Sequence, residues 1–162
     1  CFHRYFKCPL ANAPGLFCLW EGPLSEIRNH VNKNHKERIT EAITLLSVFI
    51  RDFQPTYRYC RVIYAMGEMF YQQFHVKGND FYFVVQFVGT EETALEFKYE
   101  LIIKSPEGVE KISVTQVTQS VKVNLEDICE SGKCVKLHHD VINNFLDYEK
   151  NLRFELEISR VK

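Results

Sequence analysis

The stretch Cys8–His35, which reads CPLANAPGLFCLWEGPLSEIRNHVNKNH, decides how the N-terminal part of this chain folds. It carries two cysteines, Cys8 and Cys18, followed by two histidines, His30 and His35. Two thiols and two imidazoles in this order are a common ligand set of a tetrahedral zinc site. Four protein ligands leave no open position, so the pattern predicts a structural Zn²⁺ ion that supplies folding energy.

The spacing of these residues fits a zinc module with one unusual loop. Eleven residues separate Cys18 from His30, and four separate His30 from His35. Nine residues separate Cys8 from Cys18, whereas a standard finger knuckle has roughly two to four. The alternative is that these cysteines and histidines are unrelated surface and core residues.

The segment Pro23–His35 has the pattern of a short helix that carries both histidines. Ser25 is the predicted N-cap, and Leu24, Ile27 and Val31 share one helical stripe. Such a helix would turn its inner face back toward the two thiols.

From Ile39 onward, the sequence changes to strands separated by short turns. The stretch Phe81–Val88 is almost wholly apolar and predicts a central strand. The turn residues at 77–80, Lys-Gly-Asn-Asp, predict a hairpin with the strand before it. Val121–Leu125 is a weaker predicted strand. Two later strands alternate strictly, at Phe97, Tyr99, Leu101 and Ile103 and at Leu152, Phe154, Leu156 and Ile158.

About eight strands joined by short turns predict an antiparallel β-sandwich. The sequence is therefore mainly β: a small Cys₂His₂ zinc module at residues 1–38, followed by an eight-stranded antiparallel sandwich at residues 39–162.

Composition limits the classes of function. Of the 162 residues, 46% are hydrophobic and 25% are charged, and the net charge is −1. This is ordinary for a globular protein and argues against a polycationic surface for nucleic acid. No apolar stretch approaches the roughly 18 residues that cross a bilayer. With no phosphate-binding loop and no nucleophile elbow, we expect no catalytic residue in this chain.

The six cysteines could form three disulfides in a secreted protein. Two of them belong to the metal-ligand pattern, and a core of this size needs no disulfides, so a reducing cytoplasm, with the nucleus as a further location, fits better. The chain begins at Cys1 without a Met, and we therefore expect a fragment of a longer protein.

The predicted strand Tyr57–Met66 has two different faces. One carries Tyr57, Tyr59, Arg61 and Ile63, and tyrosine and arginine are enriched at protein interfaces. The alternative is an ordinary amphipathic strand with exposed aromatic residues. Cys60 lies on the other face, and we expect a buried strand cysteine there, not a nucleophile.

A further group of candidate ligands lies near the C-terminus: Cys129, Cys134, His138, His139 and Asp140. It could form a second metal site. The pattern is more typical of a solvated helix start with Asp140 near the helix N-terminus.

The chain resembles the seven-in-absentia (Siah/Sina) family of RING E3 ubiquitin ligases. The matching residues are Cys1-x6-Cys8-Pro9, Cys18-Leu19-Trp20-Glu21-Gly22, His30-x4-His35-Lys36, Val84–Thr90 and Phe97-x-Tyr99-x-Leu101. The family order is a RING, two zinc fingers and a TRAF-like β-sandwich that binds substrates and dimerises. The resemblance therefore implies a TRAF-like sandwich here, a homodimer, and an E2 enzyme bound through a RING that is absent from this chain.

The resemblance also assigns roles to residues. It implies that Cys8, Cys18, His30 and His35 are the ligands of the second finger. It implies that Cys1 is the last ligand of the first finger and is idle in this chain.

The family carries a Trp on the strand that lines its degron groove, whereas the only Trp here is Trp20. Cys60 falls near that place, which makes Tyr57, Tyr59, Cys60, Arg61 and Val62 the candidate peptide groove. The implied mode is the addition of an extended degron peptide as a strand.

Three functions follow as hypotheses. The first is the substrate-recognition and dimerisation region of a RING-type E3 ubiquitin ligase, which delivers targets for ubiquitination and proteasomal degradation. The second is a RING-less TRAF-like adaptor or decoy that acts by protein binding alone. The third is a Cys₂His₂ nucleic-acid binder, against which the net charge of −1 and the long Cys8–Cys18 loop both argue.

Overall fold

The computed structural model describes residues 5–11, 13–41, 45–54 and 58–162. The predictions for Cys1 and Tyr57 therefore lie outside the described residues. The described chain is mainly β, with twelve strands and four α-helices. None of its described helices has the length and apolar character needed to cross a membrane.

The strands are β1 (Tyr5–Lys7), β2 (Glu21–Pro23), β3 (Ile39–Glu41), β4 (Leu45–Ile50), β5 (Arg58–Ala65), β6 (Glu68–Lys77), β7 (Asp80–Phe87), β8 (Phe97–Lys104), β9 (Lys111–Val117), β10 (Gln119–Ser120), β11 (Val135–His138) and β12 (Leu152–Arg160). The helices are α1 (Leu24–Asn34), α2 (Glu91–Ala94), α3 (Leu125–Glu130) and α4 (His139–Asn143), and a 3₁₀ turn covers Lys36–Arg38.

Two large sheets form the body of the molecule. One has six strands in the order β10-β7-β6-β5-β3, with β11 also paired to β7, and the other has four in the order β4-β12-β8-β9. A separate two-stranded sheet joins β1 to β2. All pairings are antiparallel except β10 with β7 and β3 with β5, which are parallel.

The two large sheets pack face to face through aromatic side chains. Phe83 on β7 lies 5.5 Å from Phe154 on β12 and 6.1 Å from Tyr99 on β8, measured between ring centroids. Phe87 stacks on Phe97 at 5.2 Å. These contacts place β7 across from β8 and β12, which makes the fold a sandwich with one shared core.

Several sequence predictions of strands are confirmed. The alternating apolar residues of β8 and β12 are all buried in the sandwich core. The predicted hairpin joins β6 to β7 through Gly78 and Asn79, and Gly78 has a φ of 62°. A positive φ at the first of two turn residues is the pattern of a type II′ turn, which glycine favours.

The prediction of eight purely antiparallel strands is wrong in its details. β3 has three residues and β10 has two, so neither is long enough to show a period-2 pattern. Val121–Leu125 is not a strand. Asn124 caps the start of α3 there, because its side-chain oxygen accepts a hydrogen bond from the backbone N–H of Glu126 at 2.8 Å.

The start of α1 also differs from the prediction. Ser25 is not the N-cap; Pro23 occupies that position, and no side chain caps the helix. The reason is that Pro23 still pairs with Tyr5 in the two-stranded sheet, so the chain passes directly from β2 into the helix.

Candidate functional site

The four predicted ligands of the N-terminal stretch converge on one point. The potential ligand atoms of Cys8, Cys18, His30 and His35 all lie within 4.8 Å of one another. Cys18 Sγ is 3.3 Å from His30 Nε2. A tetrahedral zinc ion with ordinary bond lengths would separate its ligand atoms by roughly 3.3–3.8 Å. The cluster therefore has the donor set and the dimensions of a site that could hold a metal ion.

Local structure brings the cluster together. Cys8 follows β1 and Cys18 precedes β2, and the N–H of Cys8 donates to the carbonyl oxygen of Trp20 at 3.0 Å. His30 lies in the last part of α1. His35 comes directly after the helix and donates its N–H to the carbonyl of Val31 at 2.8 Å.

The burial of His35 and Cys8 favours a bound metal ion at this cluster. His35 is only 5% exposed, and among the described residues neither of its ring nitrogens has a hydrogen-bond partner. An unpartnered buried nitrogen costs free energy that a metal ion would recover. Burial raises the pKa of the Cys8 thiol to about 12. A bound cation would instead hold the thiol as thiolate.

His30 is held in place by neighbours on two sides. Its ring stacks on Trp20, with centroids 4.7 Å apart and planes 10° apart. Nδ2 of Asn34 lies 3.2 Å from His30 Nδ1, on the side of the ring away from Cys18. Burial lowers the pKa of His30, and the nearby His35 lowers it further; both effects favour the neutral imidazole, which is the form that binds metals.

Gly22 is needed for this stacking. A Cβ atom at Gly22 would lie 2.6 Å from the ring of Trp20. Any other residue would displace the indole, which covers His30.

The N-terminal module, by which we mean residues 5–38, docks on the outer face of the six-stranded sheet. Its apolar side chains share one buried cluster with side chains of that sheet. The module contributes Phe6, Cys8, Leu10, Ala13, Ile27 and Val31, and the sandwich contributes Cys60, Val62, Met69, Tyr71 and Val88.

Polar contacts reinforce this docking. Arg38 donates from Nη2 to the carbonyl of Pro14 at 2.6 Å and from Nη1 to the carbonyl of Cys60 at 3.3 Å. It thereby ties the long loop between the two cysteines to β5. Tyr64 donates its hydroxyl to Asn32 Oδ1 at 2.7 Å, which joins β5 to α1.

The candidate groove residues on β5 are largely covered, and the burial of Cys60 confirms the buried strand cysteine that the sequence predicts. Cys60 and Val62 are buried beneath the N-terminal module. Tyr59 points into the sandwich, where its ring lies 5.8 Å from that of Phe74. Arg61 is 7% exposed.

The prediction of an exposed face formed by Tyr59 and Arg61 is therefore wrong. Arg61 donates from Nε to Oε1 of the fully buried Gln72 at 2.8 Å. The physical reason is that both faces of β5 are covered, one by the module and one by the second sheet. Arg61 is polar although it faces inward, so no apolar pattern in the sequence indicated that this face is covered. Peptide binding near β5 stays a prediction.

The second group of candidate ligands forms two pairs, Cys129 with Cys134 and His138 with Asp140, and within the described residues no three of its members cluster as metal ligands. His138 is the N-cap of α4, and its Nδ1 accepts a hydrogen bond from the N–H of Asp140 at 3.2 Å. This confirms the predicted helix start. Cys134 is buried against Ile128 and Val84.

Sequence reasoning missed the residues that support the cluster, namely Trp20, Asn34 and Arg38. The spacing of Asn34, four residues after His30 on one helix face, was the one available signal.

Comparison with known proteins finds a family model and a relative that this chain resembles. The family model described as "Sina, TRAF-like domain" matches residues 62–157, which run from within β5 to within β12. "E3 ubiquitin-protein ligase siah-1" of Caenorhabditis briggsae is 24% identical over 172 aligned residues. That alignment covers 99% of this chain and 38% of the relative, so the chain spans well under half of the relative's length.

Proposed function

The chain belongs to the Sina family with a TRAF-like domain, because the family model covers more than half of it, and we propose that it is the substrate-recognition region of a RING-type E3 ubiquitin ligase. In this proposal residues 39–162 bind extended degron peptides and pair with a second copy of the chain. Residues 1–38 form the second of two zinc fingers. A RING further upstream recruits the E2 enzyme, and the protein acts in the cytoplasm and nucleus.

The proposed role of the Cys/His cluster is structural. Cys8, Cys18, His30 and His35 would hold one Zn²⁺ ion, which supplies folding energy and no reaction chemistry. The unpartnered ring nitrogens of the buried His35 support this assignment. All four positions would be filled by protein, which leaves none for a substrate.

The N-terminal module would set the orientation of the sandwich. Its shared apolar cluster with the sheet and the bonds from Arg38 to both parts support a fixed relation between the two. A substrate bound to the sandwich would then be held at a defined position relative to whatever precedes the module.

The observation that carries the peptide-binding proposal is the edge strand β4. Within the described residues it is paired on one side only, with β12. Its sequence, Leu45–Ile50, contains no charge, and Leu45 and Phe49 are 47% and 42% exposed. Edge strands are usually guarded by charged residues, and an unguarded one can accept a further strand.

Two other strands, β9 and β5, fit a peptide less well. β9, at the opposite edge of the same sheet, begins with the exposed Lys111. On β5, the carbonyl of Cys60 already accepts a hydrogen bond from Arg38. We therefore place the degron peptide along β4, not along the β5 residues that the sequence indicated.

A peptide-display screen with the purified chain tests this proposal. We expect enrichment of extended, largely apolar peptides. The variant Ser47→Lys adds a charge to an exposed position of β4 and should weaken the selected peptides at least tenfold. Thr115→Lys, at an exposed position of β9, is the matched control and should bind normally.

Two results would refute the proposal: no enriched peptide, or equal binding by the Ser47→Lys variant and the native chain. The ligase role has its own readout. The full-length protein should ubiquitinate a reporter that carries the selected peptide, and deletion of residues 1–162 should abolish that transfer. Sedimentation equilibrium of the same preparation tests the homodimer.

A further inference from the structure

A recess lies on the outer face of the six-stranded sheet, beside α3 and apart from the Cys/His cluster. Its volume is about 690 Å³. Five basic or aromatic residues line one side of it: Arg58, His75, Lys77, Tyr82 and Lys136. We call it the basic recess.

Strand register explains why these side chains meet. Arg58 on β5 pairs with His75 on β6, His75 pairs with Tyr82 on β7, and Tyr82 pairs with Lys136 on β11. The four residues therefore form one row across four strands, with neighbouring side chains in contact range. Lys77 lies two residues after His75 and so faces the same side.

The row contains a stacked pair at its centre. The rings of His75 and Tyr82 lie 5.1 Å apart with planes at 15°. Nζ of Lys136 is 5.8 Å from the Tyr82 ring and 3.7 Å from Oδ2 of Asp80. Lys136 is therefore partly neutralised, and the ring stack separates it from Arg58.

Arg58 and Lys77 have no such partner. Both are exposed, and within the described part of the chain neither makes an ion pair or a side-chain hydrogen bond. Burial lowers the pKa of His75, and the charges of Arg58 and Lys77 lower it further. Two unpaired cations flank the imidazole, so this side of the recess is positively charged.

The wall opposite has the other sign. Glu126 and Glu130 lie four residues apart on α3, both are exposed, and both line the recess. A long polyanion such as nucleic acid, or an anionic membrane surface, would meet repulsion there. A peptide that carries an anionic group next to a basic side chain would complement both the basic residues and the two glutamates.

We propose that the basic recess binds a phosphorylated serine or threonine side chain in an extended segment of a partner protein. A phosphate monoester carries a charge of about −1.5 to −2 and three acceptor oxygens, which suits the donors of Arg58, His75 and Lys77 in one recess better than a single carboxylate does. Arginine clusters are a common means of phosphopeptide recognition. The site is separate from β4, so it stands independently of the proposed function.

The proposal implies a pH dependence of binding. The charged and titratable groups that face His75 come from every surrounding element: Arg58, Lys77, Asp80, Tyr82, Lys136, Glu126 and Glu130. The two neighbouring cations favour neutral His75 in the free recess, whereas a bound phosphate favours the protonated ring. Affinity should therefore rise as the pH falls from 8 toward the ordinary range of histidine, and level off where the phosphate itself gains a proton near pH 6.

The test uses an array of phosphoserine peptides of degenerate sequence, with fluorescence anisotropy on the best binder. We expect saturable binding that the unphosphorylated peptide lacks. The double variant Arg58→Gln/Lys77→Gln should lose at least tenfold in affinity. Lys111→Gln, which removes an exposed charge from β9, is the matched control and should lose less than twofold. His75→Gln should remove most of the pH dependence.

Other outcomes would overturn the proposal. Equal binding of phosphorylated and unphosphorylated peptides would exclude a phosphate site, and so would an array without a binder. An equal loss in Lys111→Gln would show nonspecific attraction. If single-stranded RNA or phosphoinositide vesicles bound more tightly than any peptide, and Arg58→Gln/Lys77→Gln abolished that binding, the recess would belong to another class of ligand.

Discussion

The N-terminal module and the sandwich bury their apolar residues in different ways. The sandwich core is built from the two large sheets, their connections and α4, with residues such as Phe83, Tyr99 and Phe154 in mutual contact. The module belongs to a cluster of eleven buried residues, of which it supplies six and the sandwich five. A segment this small cannot enclose a core of its own. It relies on surface borrowed from β5 and β6 and, as we propose, on a metal ion.

Removal of the metal ion should have the largest effect, because it should unfold one region and leave the other folded. Binding free energies for structural zinc in small fingers are about 10–16 kcal/mol, so a chelator should unfold the module. The sandwich should persist, because its core contains no residue of the module. Hydrogen exchange should show loss of protection in α1 and retained protection in β8 and β12.

Two cysteine variants control this experiment. Cys18→Ser should reproduce the effect of the chelator, whereas Cys129→Ser changes a half-buried thiol outside the cluster and should leave α1 protected. About one zinc per chain is expected for the native protein by elemental analysis. No bound metal, or a chelator that unfolds both parts together, would contradict the proposed division.

A destabilising substitution in the sandwich core should affect the module as well as the sandwich. Phe83 is fully buried, and Phe83→Ala should lower the free energy of unfolding by about 3–5 kcal/mol. The module should be lost with the sandwich, because five residues of its cluster belong to that part. Trp20, the single tryptophan, reports on the module by fluorescence, and circular dichroism reports mainly on the sheets.

In Phe83→Ala both signals should shift to lower denaturant together. Phe49→Ala is the matched control, since Phe49 is 42% exposed and should cost less than about 1 kcal/mol. A Trp20 signal that stayed at its native midpoint would show a module that stands on its own.

The way in which each region buries its residues also explains which of its features could be predicted from the sequence. β8 and β12 each have one face in the core, so their alternation was visible and the fold class followed from it. The four cluster residues were also predictable, because metal chemistry restricts the residue types and their order. β5 was misread, since its inward Arg61 is polar and both of its faces are covered.

Other features depend on contacts that no local pattern encodes. The pairing of β3 with β5 involves three residues, and that of β10 with β7 involves two. Arg38 bonds to Pro14 and to Cys60, which are 24 and 22 residues away in sequence. Such contacts follow from the docking of one part on another, which no spacing within either part predicts.

Substitution of Arg38, which bonds to both regions, should have the smallest effect. It is also the most direct test of how the two regions are coupled. Arg38→Met keeps the length of the side chain and removes both hydrogen bonds, which leaves two carbonyls without this donor. We expect the module to open more easily by about 1–3 kcal/mol while the global stability of the sandwich is unchanged. Hydrogen exchange of α1 compared with β12 measures the two separately. Arg28→Met removes one exposed hydrogen bond to the carbonyl of Gly67 and a contact of the guanidinium with the Tyr64 ring, both near the surface, and should cost less. If Arg38→Met and Arg28→Met were equal, Arg38 would not be the residue that couples the module to the sheet.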